Sequence, residues 1–320
     1  MNRKYLRSNV PPPPHPRRRR EPLPWQKPKP TTEDPQGPGN LKAIFESPSY
    51  VPAIEDVDFL DGEDARGVRL QLDYLKPDKT LDAHGVQHTI VVFGSTRILE
   101  PVAAQQKVDQ LRKALAESPN DSEIRRQLQV AIRVQQKSEY YEVSRVFSRL
   151  VGNAGKGPGD SRLVIMTGGG PGIMEAANRG AHDIGAESIG LNITLPHEQY
   201  PNPYISPDLC FRFHYFALRK LHFLLRAKAL VAFPGGFGTF DEVFETLTLI
   251  QTRKIKPVPV VLVGESYWRK AFDIDFLVAE GVIDLEDRDL FWFAETAEEI
   301  WEGLLYWYEE NGESLIEESP

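Results

Sequence analysis

Residues 234–242 read Pro-Gly-Gly-Phe-Gly-Thr-Phe-Asp-Glu and follow directly on the apolar run 229–233. A strand that breaks into glycines and then opens an amphipathic helix leaves several backbone N–H groups unpaired, and the helix dipole makes that point favourable for an anion. Gly235, Gly236, Gly238 and Thr239 are therefore expected to cradle a phosphate, with the Glu242 carboxylate beside it. Thr239 and Glu242 also stand at capping-box spacing, in which both would merely satisfy backbone donors. The motif alone leaves both readings open.

Two other turns have related chemistry. The strand expected over 89–93 ends in Gly94-Ser95-Thr96-Arg97, whose bare N–H groups and hydroxyls suit a ribose or phosphate but also occur in any tight βα turn. The strand over 162–167 leads into Gly168-Gly169-Gly170-Pro171-Gly172, where glycines let the backbone approach a ligand closely and Pro171 suits a first helical turn. G-x-G-x-x-G is poorly matched there and no ribose-binding acid follows the next strand, which disfavours NAD. Arg219 and Lys220 lie early in a helix expected over 216–228, one βα unit before Glu242. Periodicity alone reads Arg219 as a solvated helix charge. His222 has no second His or Cys at ligand spacing, so no metal is expected.

The elements that must position these residues alternate regularly. Further strands are expected over 188–193, 209–215, 257–264 and 290–293, with helices over 266–280 and 296–310. The fold class is α/β: a Rossmann-like parallel sheet with helices on both faces, binding ligands outside the carboxyl ends of its strands. The turns at Gly94, Gly168 and Gly235 share that edge. Together with Arg219 and Glu242 they make a site for a phosphorylated sugar, with a carboxylate free for chemistry. A loop carrying Pro196, His197, Pro201 and Pro203 is expected to wall or cover it.

The rest of the chain is organised around this core, taken as 89–312. Residues 1–45, with four consecutive prolines and four consecutive arginines, are too poor in large apolar groups to offset ordering entropy and are expected to be a disordered arm. Residues 46–88 are expected to pack on the core as an extension. An insertion at about 99–139 reads as a helical hairpin broken near Ser118-Pro119, its apolar stripes suited to packing or subunit contacts. Residues 313–320 are an acidic tail. Opposite charge on the arm and on the Glu-rich C-terminal region suggests a contact between them.

The totals narrow the partners. A net charge of −8 over 320 residues argues against nucleic acid as the main partner. The single cysteine, Cys210, excludes an intrachain disulfide framework and fits a reducing, cytoplasmic location. No apolar run approaches the ~18 residues of a membrane span.

The segments TGGGPGIMEAANRGA (167–181), Arg219-Lys220 and PGGFGTFDE (234–242) resemble, in order and spacing, the paired signatures GGGxxGxM and PGGxGTxxE of the LONELY GUY (LOG) family. That family is often labelled lysine decarboxylase-like, yet its established members are phosphoribohydrolases acting on nucleoside 5′-monophosphates, without a cofactor. No Schiff-base lysine context supports the older label. The resemblance implies that Arg219 and Glu242 form the catalytic pair and that Gly235, Gly236, Gly238 and Thr239 hold the 5′-phosphate. It further implies that Gly94, Ser95, Gly169 and Gly170 line the nucleotide and that Met174 stands near the base. The substrate would be AMP or an N6-substituted AMP, and the assembly a homodimer or larger. A nonenzymatic nucleotide or molybdenum-cofactor carrier on the same fold is the competing reading. The long arm and the helical insertion are absent from compact members.

Overall fold

Short runs of β-branched and aliphatic residues separated by glycine-rich turns build seven parallel strands among the described residues. The computed structural model describes residues 12–195 and 200–316, and the chain divides into two compact units at Arg69/Leu70. Pro196 and His197 of the expected covering loop, and Glu317 and Glu318 of the acidic tail, lie outside the described residues.

The first unit holds helix α1 (Gly37–Phe45) and a short α2 (Val57–Asp61), and the start of α3 (Arg66–Ala83). The sequence predicts no structure over 1–45; residues 1–11 lie outside the described residues, and residues 37–45 form a helix instead. Pro38 fixes a helical φ in the first turn of α1. Phe45 at its end packs on the ring of Tyr50, at 5.1 Å between centroids. Asp56 caps α2, accepting from the Phe59 N–H at 2.9 Å.

The second unit contains the sheet. Its strands are β1 (His88–Phe93), β2 (Leu163–Thr167), β3 (Ser188–Ile193), β4 (Cys210–Phe213), β5 (Ala227–Ala232), β6 (Val260–Val263) and β7 (Trp292–Ala294). They lie in the order β4-β3-β2-β1-β5-β6-β7, all neighbours parallel. The chain thus fills one half of the sheet outward from β1, then returns to β1 and fills the other half from β5. The remaining helices are α4 (Pro101–Glu117), α5 (Ser122–Gln135), α6 (Glu139–Gly152), α7 (Ile173–Asp183), α8 (Phe216–Leu225), α9 (Phe237–Gln251), α10 (Glu265–Ala271), α11 (Ile274–Ala279) and α12 (Ala297–Glu310).

Strand alternation divides the core into two layers. Ile90 and Val92 of β1 join Ile165, Val231 and Val261 beneath Tyr141 and Phe147 of α6, Ala177 of α7 and Ile300 and Leu304 of α12. Val91 and Phe93 point the other way, with Met166, Leu230 and Leu262, against Phe223 of α8, Val243 and Ile250 of α9 and Trp268 of α10. Both faces being covered explains why the strands read as near-continuous apolar runs.

Several boundaries differ from the sequence expectations for identifiable reasons. Strand β4 stops at Phe213 because the Asp73 carboxylate accepts from the N–H groups of His214 and Tyr215, at 2.9 and 2.8 Å. Helix α8 ends at Leu225, before the expected Lys228. Arg226 is held by Asp78, Asp82 and the Val86 carbonyl, and its own carbonyl accepts from the Thr89 N–H at 2.8 Å as β5 begins. The single helix expected over 266–280 is two, because Asp273 caps α11 through the Phe276 N–H at 3.0 Å.

A buried polar network braces the Gly168–Gly170 turn. Asn178, fully buried, bonds to Thr167 Oγ1 at 2.8 Å, Ser188 Oγ at 3.0 Å and the Ile189 carbonyl at 3.3 Å. Asn202 donates to Asn178 Oδ1 at 2.9 Å and to the Gly170 carbonyl at 3.1 Å. Removing the hub leaves several of these groups unpaired in the interior. Asn178→Ala is expected to cost about 3 kcal/mol, read as the drop in unfolding free energy by urea denaturation; a change within error of zero would show that the network carries no stability.

Candidate active site

The loops that leave β1 and β5 part company at the sheet's carboxyl edge, and a cleft of about 740 Å³ opens there. This is where strand order reverses, the position at which open α/β sheets bind ligands. The two loops are tied together below it: Ser95 N–H donates to the Pro234 carbonyl at 3.0 Å and Phe233 N–H to the Phe93 carbonyl at 2.9 Å.

One wall is the start of α9. Gly236 is its N-cap and contributes no side chain, so among the described bonds the N–H groups of Phe237 and Gly238 have no partner, whereas those of Thr239 and Phe240 donate to the Gly236 carbonyl at 2.9 and 3.1 Å. Gly235, Gly236, Gly238 and Thr239 all line the cleft. At Gly235 an added Cβ would fall 2.1 Å from Thr239 Oγ1, whereas at Gly236 and Gly238 it would meet nothing within 4 Å. The Tyr267 hydroxyl donates to the Gly235 carbonyl and fixes the turn from outside. The capping box expected at Thr239 and Glu242 does not form. Helix α9 begins two residues earlier, so both residues lie inside it; the described capping box of this kind is at Thr296 and Glu299 instead.

Glu242 follows one turn beyond Thr239, only 4% exposed and facing the cleft. Burial raises its carboxyl to about 7; Lys220 and Arg219 oppose that rise, while Glu245 and Asp241 add to it. Arg219 lines the same cleft from α8. Its Nε donates to the Leu191 carbonyl at 2.7 Å and its guanidinium lies over the rings of Phe223 and Phe216, at 5.0 and 5.6 Å. Among the described residues neither Arg219 nor the Glu242 carboxylate has an ion-pair partner. The neighbouring Lys220 turns away and pairs with Asp241 and Glu245, each at 2.9 Å. Burial disfavours the Lys220 charge, but these two bonds outweigh it and hold the ammonium above its ordinary value.

Of the other residues singled out in the sequence, Gly94, Ser95 and Met174 also line the cleft. Gly169 and Gly170 do not; both are buried, and their carbonyls accept from Asn202. Gly169, at φ 71°, lies so close to Asn192 that a Cβ would fall 2.1 Å from its Oδ1. The triple glycine is a packing requirement there, with one part at the site: a Cβ on Gly168 would come within 2.6 Å of Arg219 Nη2. Pro201 and Pro203 do not line the cleft. His222 is buried against Tyr74 and Phe213, with Nε2 3.1 Å from the Tyr74 carbonyl.

Sequence reading missed the opposite wall. Val130, Arg133, Val134 and Lys137, from α5 and the turn after it, line the cleft together with Arg97. Their i, i+3, i+4 and i+7 spacing is visible in the sequence, but an amphipathic stripe reads first as packing.

The raised carboxyl of Glu242 has a consequence for folding. Its folded value lies above its ordinary 4.5, so between pH 4.5 and about 7 the folded chain keeps a proton that the unfolded chain releases. Stability from this group is present below that window and lost as pH rises through it. Glu242→Gln is therefore expected to be more stable than the parent at pH 8, by about 2–3 kcal/mol at most, with the gain gone at pH 4. Urea denaturation at both pH values checks this; an equal difference at the two would contradict it.

Comparison with known proteins bears on the same segments. A family model described as "Possible lysine decarboxylase" matches residues 174–304. A cytokinin riboside 5′-monophosphate phosphoribohydrolase of rice, Oryza sativa subsp. japonica, is 31% identical over 140 residues, covering 43% of this chain and 57% of its own length. A second rice protein, described as a probable enzyme of the same name, is 30% identical over 158 residues, covering 48% of this chain and 67% of its own length. Among solved structures, a molybdenum cofactor carrier protein from Chlamydomonas reinhardtii is 18% identical with a TM-score of 0.39, covering 69% of this chain and 99% of its own. On the two sequence signatures and on the relative matched over two thirds of its length, this chain belongs to the LOG family.

Proposed function

We propose that this chain hydrolyses the N-glycosidic bond of a purine nucleoside 5′-monophosphate, AMP or an N6-substituted AMP, to free base and ribose 5-phosphate. One observation carries the reading: a buried carboxylate and a half-buried guanidinium, neither with an ion-pair partner among the described residues, face one cleft whose wall is a helix N-terminus without a side-chain cap. The names of the rice relatives, phosphoribohydrolases of cytokinin riboside 5′-monophosphates, support the same chemistry.

The 5′-phosphate would accept from the free N–H groups at the start of α9, and this remote binding positions the ribose. Among the described residues Glu242 is the only acid lining the cleft. As a carboxylate it stabilises positive charge developing at the anomeric carbon and orients a water toward it. The water oxygen bonds to C1′, the C1′–N bond breaks with its electron pair going to the base, and a proton of the water passes to Glu242 and on to the departing base. A carboxyl near 7 suits both holding and returning that proton. Arg219 anchors the phosphate or ribose and favours ionised Glu242. Ser95 and Gly94 border the sugar, and Met174 the base. Gly169 and Gly170 act behind the site, through Asn202 and the turn they shape. Exposed Phe216, Leu221 and Leu225 on α8 and Phe244 on α9 support assembly into at least a homodimer through these helices.

Incubation with a panel of nucleoside monophosphates, with products resolved by chromatography, is expected to give free purine and ribose 5-phosphate in equal amounts. Glu242→Gln should lower kcat by about 10²–10³ while AMP still binds. Undiminished turnover would remove Glu242 from the mechanism, and binding without cleavage in the parent chain would favour a carrier. The parent's kcat/KM should rise with pH through about 7, because the carboxylate is the working form, and the Gln variant should lose that limb.

Gly168→Ala separates placement from folding. The added methyl meets the far end of a flexible side chain, so the melting temperature should scarcely move, yet the guanidinium must shift. A loss of about 10²-fold in kcat/KM is expected; full activity would mean that Arg219 needs no such placement.

A further inference from the structure

The cleft carries more positive charge than a monophosphate needs. Among the described residues Arg97, Arg133, Lys137 and Arg219 line it against a single acid, Glu242, in a chain whose formal charge is −8. Among the described residues none of these four cations has an ion-pair partner, whereas Arg179, Lys220 and Arg226 in the same unit are all paired. A phosphate monoester brings about two negative charges, which the start of α9 and Arg219 already meet.

Of these cations Lys137 also borders a second space beside the phosphate cradle. This second recess, of about 750 Å³, is lined by Lys137, Gly236, Phe237, Ser266, Tyr267 and Lys270, and among the described residues by no carboxylate. Lys137, Gly236, Phe237 and Tyr267 belong to both spaces, so the recess continues outward from the very turn that cradles the phosphate. Lys270, on α10, likewise has no ion-pair partner among the described residues. Lys137 is placed by the helical insertion, its Nζ donating to the Arg133 carbonyl at 3.3 Å. Any group attached to a cradled 5′-phosphate on its far side from the ribose enters a space bordered by two ammonium groups and the hydroxyls of Ser266 and Tyr267.

We propose that the site binds a nucleoside 5′-diphosphate, with its α-phosphoryl group in the cradle of α9 and its β-phosphoryl group between Lys137 and Lys270. The inference rests on the phosphate position proposed above. It makes the helical insertion and α10 the two jaws of a β-phosphate subsite. The 5′ end directs the second phosphoryl group there, since a phosphate at the 3′ position would not extend through the shared turn.

Calorimetric titration of the full-length Glu242→Gln variant with AMP and ADP avoids turnover and tests this directly. ADP is expected to bind about tenfold more tightly than AMP, since charge-assisted contacts are the strong ones. That advantage should shrink as salt is raised from about 50 to 300 mM. Adding Lys137→Ala and Lys270→Ala should bring ADP to the level of AMP. ADP binding no tighter than AMP, or an advantage that survives the double substitution, overturns the proposal. Release of base from AMP by the parent chain is scored separately, so a failed subsite with intact hydrolysis leaves the nucleosidase reading standing. Failure of the subsite and of hydrolysis together would sink both.

Discussion

The site depends on the return of the chain to β1. After building β2, β3 and β4 to one side, the polypeptide re-enters the sheet as β5 on the other, and two neighbouring strands send their loops in opposite directions from one edge. Helices α6 and α9, which follow the two strands, pack on opposite faces of the sheet, and the gap between the two loops stays open at its edge. Backbone hydrogen bonds between Ser95 and Pro234 and between Phe233 and Phe93 hold the floor closed while the rim stays open. The glycine turn, Arg219 and Glu242 gain their chemistry from being brought to this place.

Burial there makes charge expensive, and the structure distributes that expense unevenly. Lys220 is neutralised by Asp241 and Glu245 on the outer side of α9, which keeps a cation close to Glu242 without placing it in the cleft. Arg219 is supported by a carbonyl and two aromatic faces in place of a counter-ion. Glu242 receives only partial compensation and stays poised between protonation states at neutral pH. The pair is therefore electrostatically unfinished in the protein alone, as expected of groups meant for a passing anion and a transient cation.

How much of this was legible in the sequence varied with the range of the interaction. Parallel strands buried on both faces announce themselves as apolar runs, and glycine turns at their ends mark the ligand edge, so the fold class and the Arg219/Glu242/α9 side of the cleft could be read directly. The capping box misled because Thr239 and Glu242 have the right spacing while the helix starts at Phe237, a boundary set by the turn and not by the motif. Gly169 and Gly170 looked like ligand contacts, but their partner Asn202 is over thirty residues away, and no local pattern reveals it. The cationic wall from α5 was hidden for the same reason. Its stripe is clear, but only the tertiary placement of the hairpin decides that it faces a cleft.

The glycines of the α9 turn fall into two kinds. At Gly235 the chain itself forbids a side chain, since Thr239 occupies the space; at Gly236 and Gly238 it does not. A screen that scores variants by folding or solubility would thus report Gly236 and Gly238 as replaceable and Gly235 as essential. A screen that scores turnover would find all three intolerant. The gap between two such maps would outline the substrate's footprint on the protein without a ligand ever being seen.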